Sequence, residues 1–139
     1  MDTKKRKNKM SELAPGIQGY AEKIVTEELT ATNIGSGNVK VFATAMMIGF
    51  MEKTCLESVR PFLEPGMDTV GIHVDVSHCS ATPIGMKVRC HSTLIEVDRR
   101  RLVFKVEAYD EKTLIGEGTH ERFIIDPERF MSKTLAKGC

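Results

Sequence analysis

The longest apolar stretch of the chain, VFATAMMIGFM, covers residues 41–51 and is followed directly by the carboxylate of Glu52. The stretch is too short to cross a bilayer, and its length is typical of a buried core helix. The pattern predicts a helix over residues 41–59, which Pro61 ends because proline cannot continue a helix. Since this helix is apolar on nearly all sides, other elements have to cover it.

The remaining apolar residues follow strand patterns. The segments with strand-like composition or alternation are 20–32, 69–81, 86–97, 101–110 and 113–125. In the second of these, one face carries Val70, Ile72, Val74, Val76 and His78, whereas Gly71 and His73 lie on the opposite face. The connections between the last three strands are short, which predicts hairpins and an antiparallel meander.

The order of elements, one strand, one long helix and four strands, predicts an α+β fold in which an antiparallel sheet wraps around a long central helix. A half-rolled sheet leaves an edge strand open, and such an edge commonly pairs with a second copy. We therefore expect a homodimer. We expect residues 20–139 to form a single domain and residues 1–19, which include MDTKKRKNKM, to be a basic disordered tail.

Composition narrows the classes of function. The chain has 139 residues, a net charge of +1 and no tryptophan, so neither nucleic acid nor an anionic membrane is an expected partner. The basic N-terminus has no apolar stretch behind it, so we do not expect it to be a secretory signal. The four cysteines have no CxxC or metal-site spacing, so we expect reduced thiols, a cytoplasmic protein and no metal.

Glu52 is the first candidate for chemistry because its helical neighbours are apolar or small: Ile48, Gly49, Cys55 and Leu56. A carboxylate in such a surround needs a partner or a perturbed pKa, which is a property of functional sites. The alternative is that the helix emerges into solvent at this position, and the amphipathic sequence EKTCLESVR after it supports that alternative.

Two further candidates belong with Glu52. His78 ends a strand on the face that should look at the helix, so it could form an acid–base pair with Glu52 or be an ordinary core histidine. Thr44 lies eight residues before Glu52, in the same quadrant of the helix but roughly 12 Å away along its axis. It could approach Glu52 of a second copy across a two-fold axis, or simply cap the helix.

Gly71 and Arg122 are weaker candidates. A glycine within a strand indicates a close approach of backbone or ligand, or a bulge, and the Gly71 amide could donate to an oxyanion. Arg122, in GTHERF, could orient a carboxylate or form a surface salt bridge.

Three stretches together carry a resemblance to a known group of proteins. They are VFATAMMIGFMEKTC, LEPGMDTVGIHVDVSHCSATPIGMKV and RRRLVFKVEAYDEKTLIGEGTHERFII, and the similarity runs from about Val39 to Lys133. The chain resembles the hot-dog superfamily and, within it, the fluoroacetyl-CoA thioesterase-like group. The resemblance implies a hot-dog dimer with its active site at the subunit interface, and leaves a tetramer open.

The resemblance also implies roles for individual residues. Thr44, Glu52 and His78 match the catalytic threonine, glutamate and histidine of the group, Gly71 matches its backbone-amide glycine, and Arg122 matches its arginine. The implied activity is hydrolysis of a short or medium acyl-CoA to free acid and CoA, with no cofactor besides the CoA of the substrate. The aromatic lid residue of the fluoroacetyl-specific enzyme has no counterpart here, since Asn38 stands at about that place. Fluoroacetyl selectivity is therefore not implied.

Two other activities stay open at this point. One is an enoyl-thioester hydratase or dehydratase built on the same fold. The other is a non-catalytic dimer that binds acyl-CoA.

Overall fold

The computed structural model describes residues 12–138, and they form one antiparallel sheet with a long helix on its inner face. The five strands are β1 (Gln18–Ile24), β2 (Asp68–His78), β3 (Lys87–Asp98), β4 (Arg101–Tyr109) and β5 (Leu114–Ile125). The helices are α1 (Ala31–Ile34), α2 (Thr44–Val59) and α3 (Pro127–Leu135), and short 3-10 turns cover Glu27–Leu29, Arg60–Phe62 and Ala136–Gly138. The sheet order is β1-β3-β4-β5-β2, so β1 and β2 are its edges.

Helix α2 is buried against the sheet on one side. Its buried residues are Met47, Phe50, Met51, Thr54, Cys55 and Val59, and they pack on strand residues such as Leu94, Phe104 and Val106. The opposite side is not covered: Thr44, Ala45, Gly49 and Lys53 are exposed, at the spacing of one helical stripe. The expectation that the helix would be wrapped on nearly all sides therefore holds only for its sheet-facing side.

Strand β2 contains a bulge that changes which residues face the helix. Its register against β5 runs from Asp68↔Ile125 to Gly71↔Arg122, shifts, and resumes at His73↔Glu121. Because an extra residue reverses the alternation, Gly71 lies on the helix-facing side together with Val74 and His78. The prediction that Gly71 lies opposite His78 is wrong, and so is the prediction that Val70, paired with Phe123, shares the face of His78.

The first predicted strand, 20–32, is shorter than expected and begins earlier. Strand β1 ends at Ile24, and the Thr30 side chain accepts a hydrogen bond from the Asn33 amide and caps helix α1. The other predicted elements match the observed bounds closely, and the sequence after Asp126 forms α3, which Asp126 caps.

The predicted boundary at residue 20 falls inside β1. Leu13 is buried in the core, and the Gly16 amide donates to the Leu94 carbonyl. Residues 12–19 are therefore part of the folded domain, and the expectation of a disordered tail remains only for residues 1–11, which lie outside the described residues.

A hydrogen-bond network around the buried Asp110 fixes the position of the start of helix α2. The Phe42 amide donates to the Thr82 carbonyl, in the turn that follows β2. The Thr82 hydroxyl donates to a carboxylate oxygen of Asp110, and the other oxygen of Asp110 accepts from the amides of Lys112 and Thr113. These contacts place the first turn of the helix beside the end of β2.

Over residues 12–138, no helix is long and apolar enough to cross a membrane.

Candidate active site

Glu52 lies at the edge of the open stripe of helix α2, where its side chain is 40% exposed. Its Oε2 atom is 3.8 Å from Nη1 of Arg122 and 3.8 Å from Nε2 of His120. Both partners come from β5 and are buried beneath the carboxylate. Glu52 therefore presents one side to solvent and the other to a cationic, water-poor surface.

Arg122 is 6% exposed and is held rigidly by Thr69 of β2. Its Nε donates to the Thr69 hydroxyl at 2.7 Å, and its Nη2 donates to the Thr69 carbonyl at 2.9 Å. Burial lowers the pKa of the guanidinium, but an arginine stays protonated in any physiological range. The group is a fixed positive charge behind Glu52.

His120 is 1% exposed, and it is not among the residues that the sequence indicates as candidates. Its Nδ1 is 2.9 Å from the carbonyl oxygen of His73, and its Nε2 is 3.1 Å from Nη1 of Arg122. Burial lowers the pKa of His120, and the charge of Arg122 acts in the same direction. The signal for this residue lay in GTHERF, since His120 and Arg122 are two residues apart in a strand and share a face.

Gly71 completes the surroundings of the carboxylate. A Cβ atom at this position would lie 2.5 Å from Oε2 of Glu52 and 3.1 Å from Cε1 of His120. Only glycine leaves room for the carboxylate here, as the close-approach interpretation of this residue predicts. The bulge makes the contact possible, because it turns Gly71 toward the helix.

Thr44 and His78 form a second group. The Thr44 hydroxyl is 2.8 Å from Nδ1 of His78, and Thr44 is the first residue of helix α2. Nε2 of His78 is buried and has no hydrogen-bond partner among the described residues. Burial lowers the pKa of His78, which the nearby Ser80 backbone only partly opposes. The imidazole is therefore neutral near pH 7.

The five candidate residues thus form two groups within one chain. One group contains Glu52, Gly71 and Arg122. The other contains Thr44 and His78 and lies at the N-terminal end of helix α2. At 1.5 Å per residue, the offset of eight positions from Thr44 to Glu52 separates the groups by about 12 Å along the axis. Within the chain the histidine beside Glu52 is His120, so the expected Glu52–His78 pair is not formed intramolecularly.

Comparison with known proteins identifies the family of the chain. The sequence profile of the fluoroacetyl-CoA-specific thioesterase family matches residues 25–128. A fluoroacetyl-CoA thioesterase from Streptantibioticus cattleyicolor is 43% identical over 98 residues, which is 70% of this chain and 70% of that protein.

Solved structures support the same family and the same fold. A structure of the fluoroacetyl-CoA thioesterase superposes with a TM-score of 0.86 at 34% identity, covering 90% of this chain and 97% of the other. A thioesterase superfamily member from Thermus thermophilus superposes with a TM-score of 0.80 at 30% identity, covering 91% and 94%. A hot-dog-like protein from Thermanaerovibrio acidaminovorans, 20% identical with a TM-score of 0.81 over 99% and 97% of the chains, shares the fold. The α+β hot-dog prediction is confirmed, and the chain belongs to the fluoroacetyl-CoA-specific thioesterase family.

Proposed function

We propose that this protein hydrolyses the thioester bond of a short or medium acyl-CoA and releases the free acid and CoA. The observation that carries the proposal is the environment of Glu52. Its carboxylate is half exposed, faces a rigid buried cation, and has a glycine rather than a side chain against it. This arrangement supplies a charged, accessible oxygen in a position that backbone and buried side chains fix, as nucleophilic or general-base chemistry requires.

The active unit in this proposal is a homodimer. Strand β2 is an edge of the sheet, and it carries exposed apolar side chains at Ile72 and Val74. Pairing of two copies at this edge would cover those residues and the open stripe of helix α2. A two-fold axis there would bring the Thr44–His78 group of one copy to Glu52 of the second copy, which accounts for the separation of about 12 Å within one chain.

The proposed reaction follows from these groups. The thioester carbonyl accepts a hydrogen bond from the Gly71 amide, which stabilises the oxyanion. Glu52 either removes a proton from water as the water oxygen attacks the carbonyl carbon, or attacks that carbon itself to form an anhydride that water then opens. In both routes the C–S bond breaks and the thiolate leaves, and it needs little acid assistance because thiols have a pKa near 8.5. His78, with Thr44, positions the water or the substrate.

The substrate range in this proposal is not restricted to fluoroacetyl-CoA. Residues 33–40, which precede helix α2, are exposed, and Asn38 stands where the aromatic lid residue of the fluoroacetyl-specific enzyme would be. An amide side chain cannot supply the apolar cover that such a lid provides. We further propose that the enzyme acts in the cytoplasm without a cofactor.

Thiol release from a panel of acyl-CoAs, acetyl through decanoyl plus fluoroacetyl, tests the proposal. Glu52→Gln keeps the size of the side chain and removes its charge, and it should lower kcat by about a hundredfold or more. Near-normal kcat in this variant would remove Glu52 from the mechanism. Hydration of enoyl-CoA without thiol release would identify a hydratase, and thermal stabilisation by CoA esters without turnover would identify a binding protein.

A further inference from the structure

We propose that His120 is a positioning residue: as a neutral imidazole with its proton on Nδ1, it accepts a hydrogen bond from Arg122 and keeps that cation from bonding directly to Glu52. The kinetic consequence of this inference rests on the proposed function. The hydrogen-bond geometry on which it is founded does not.

The two neighbours of His120 fix its proton. A carbonyl oxygen can only accept, so Nδ1, 2.9 Å from the His73 oxygen, must carry the hydrogen. A guanidinium can only donate, so Nε2, 3.1 Å from Nη1 of Arg122, must be the acceptor. A protonated imidazole would set two donors against each other at that distance. Both contacts therefore require the same neutral tautomer.

This tautomer completes the restraint of Arg122. Thr69 accepts from Nε at 2.7 Å and from Nη2 at 2.9 Å, and His120 holds Nη1. All three nitrogens of the guanidinium thus have a neutral acceptor. These three contacts restrain the guanidinium at its position beneath the carboxylate, while Nη1 and Nη2 each keep a second N–H.

The distance to Glu52 shows what this restraint achieves. A direct arginine–carboxylate hydrogen bond is about 2.7–2.9 Å long, whereas Nη1 of Arg122 is 3.8 Å from Oε2 of Glu52. The positive charge of Arg122 stabilises the carboxylate electrostatically, but the carboxylate oxygens accept no short hydrogen bond from it. They remain available to attack a carbonyl or to accept a proton from water. Without an acceptor at His120, Nη1 would be free to close that gap and occupy the oxygen.

Two amide variants separate this role from simple packing. In His120→Gln the amide oxygen reaches the position of Nε2 and can still accept from Arg122. In His120→Asn the shorter amide reaches only the position of Nδ1 and can still donate to the His73 carbonyl. Both variants are neutral and both leave some space in the core. A difference in kcat between them therefore reports which hydrogen bond has been lost and not the loss of packing.

We expect His120→Gln to retain kcat within about threefold of wild type. We expect His120→Asn to lose at least about tenfold in kcat with KM changed less than threefold, because Arg122 would then tie up the carboxylate in bound and free enzyme alike. Urea unfolding of both variants checks that they are folded. Equal kcat in the two variants, or a larger loss in His120→Gln, would overturn the inference.

A spectroscopic measurement decides the hydrogen-bond part on its own. Long-range ¹H–¹⁵N spectra of the full chain with ¹⁵N-labelled histidine distinguish the two neutral tautomers and the protonated ring, and the His120 signals are those absent from His120→Gln. We expect the Nδ1–H pattern at pH 7. An Nε2–H or protonated pattern would refute the inference even if the enzyme is active. Failure of wild type to release thiol from any acyl-CoA would instead refute the proposed function and leave the tautomer result to stand or fall separately.

Discussion

Gly71→Ala is a substitution of one methyl group whose effect can be worked out from the contacts of the site. The new Cβ would lie 2.5 Å from Oε2 of Glu52, 3.1 Å from Cε1 of His120 and 3.5 Å from Nη1 of Arg122. Ordinary contacts begin near 3.4 Å. The distance to Arg122 is acceptable, and the distance to His120 requires a shift of a few tenths of an ångström. The contact with Glu52 is the one that cannot remain.

The carboxylate of Glu52 therefore has to retreat by about 0.9 Å, the difference between an ordinary contact and the 2.5 Å that the methyl group would impose. It can do so without disturbing the core, because it is the end of a flexible side chain that is 40% exposed. We expect a cost of less than about 2 kcal/mol in the free energy of unfolding. A displacement of about 1 Å at a reacting group lowers the rate by about a hundredfold, and we expect a loss of that size in kcat.

The assay is steady-state thiol release by wild type, Gly71→Ala, Glu52→Gln and the double variant. If the methyl group acts by displacing the carboxylate, it should lower kcat by less than about threefold once Glu52 is already glutamine. A full additional loss in the double variant would show that Gly71 acts independently of Glu52. A Gly71→Ala enzyme with kcat within threefold of wild type would refute the argument, because the position of Glu52 would then not limit the reaction.

The remaining predictions concern the second group, the histidines and the start of helix α2. Thr44→Val should lower kcat about tenfold by removing the hydroxyl that holds His78, while urea unfolding changes by less than about 1 kcal/mol because Thr44 is exposed. Burial lowers the pKa of His78 and of His120, so the unfolded chain binds more protons than the folded chain as pH falls through the ordinary histidine pKa of about 6.5. The free energy of unfolding should therefore fall as the pH is lowered from 7.5 to 5.5, by at most about 1.4 kcal/mol per pH unit for each histidine. The fall should be less steep in His120→Gln. A free energy that does not change with pH would contradict the lowered pKa of these histidines. Asp110→Ala should cost about 2–4 kcal/mol in urea unfolding, because it leaves the buried Thr82 hydroxyl and two amides without an acceptor, and Asp110→Asn should recover part of that loss.

The elements that the sequence predicts well are those with a long, single signal. Helix α2 follows from an apolar run of helical length, residues 41–51, and from Pro61, which stops the helix. Strands β2 to β5 follow from alternation interrupted by short turns. The β-branched residues within 25–32 favour a strand, but a threonine can also cap a helix, and at Thr30 the hydroxyl does so. Composition does not separate these two uses of threonine.

The candidate site, too, is predicted by the sequence only in part. The alternation pattern places His78 correctly at the end of β2, yet it places Gly71 on the wrong face because a bulge of one residue leaves no mark in the pattern. The closeness of His120 to Arg122 can be read from GTHERF, but its role also depends on His73 of β2 and Glu52 of α2, which are distant in the sequence. Only tertiary structure shows that a histidine in a strand has one neighbour that only accepts and another that only donates.

The position of Glu52 after eleven mostly apolar residues follows from the group beneath it. Removing a guanidinium from water costs several kcal/mol unless charge and hydrogen bonds compensate it, and Thr69 and His120 supply hydrogen bonds to Arg122 but no charge. Glu52 is the carboxylate that forms an ion pair with Arg122 in the part of the chain that the structure describes. At 3.8 Å and with one side open to solvent, that pair contributes little to stability compared with apolar residues of similar volume at both positions. A fold that only needed a stable core would not bury an arginine to face a half-exposed carboxylate. The pair makes physical sense if the charge of Glu52 has to be present, fixed and accessible at the surface where a substrate arrives.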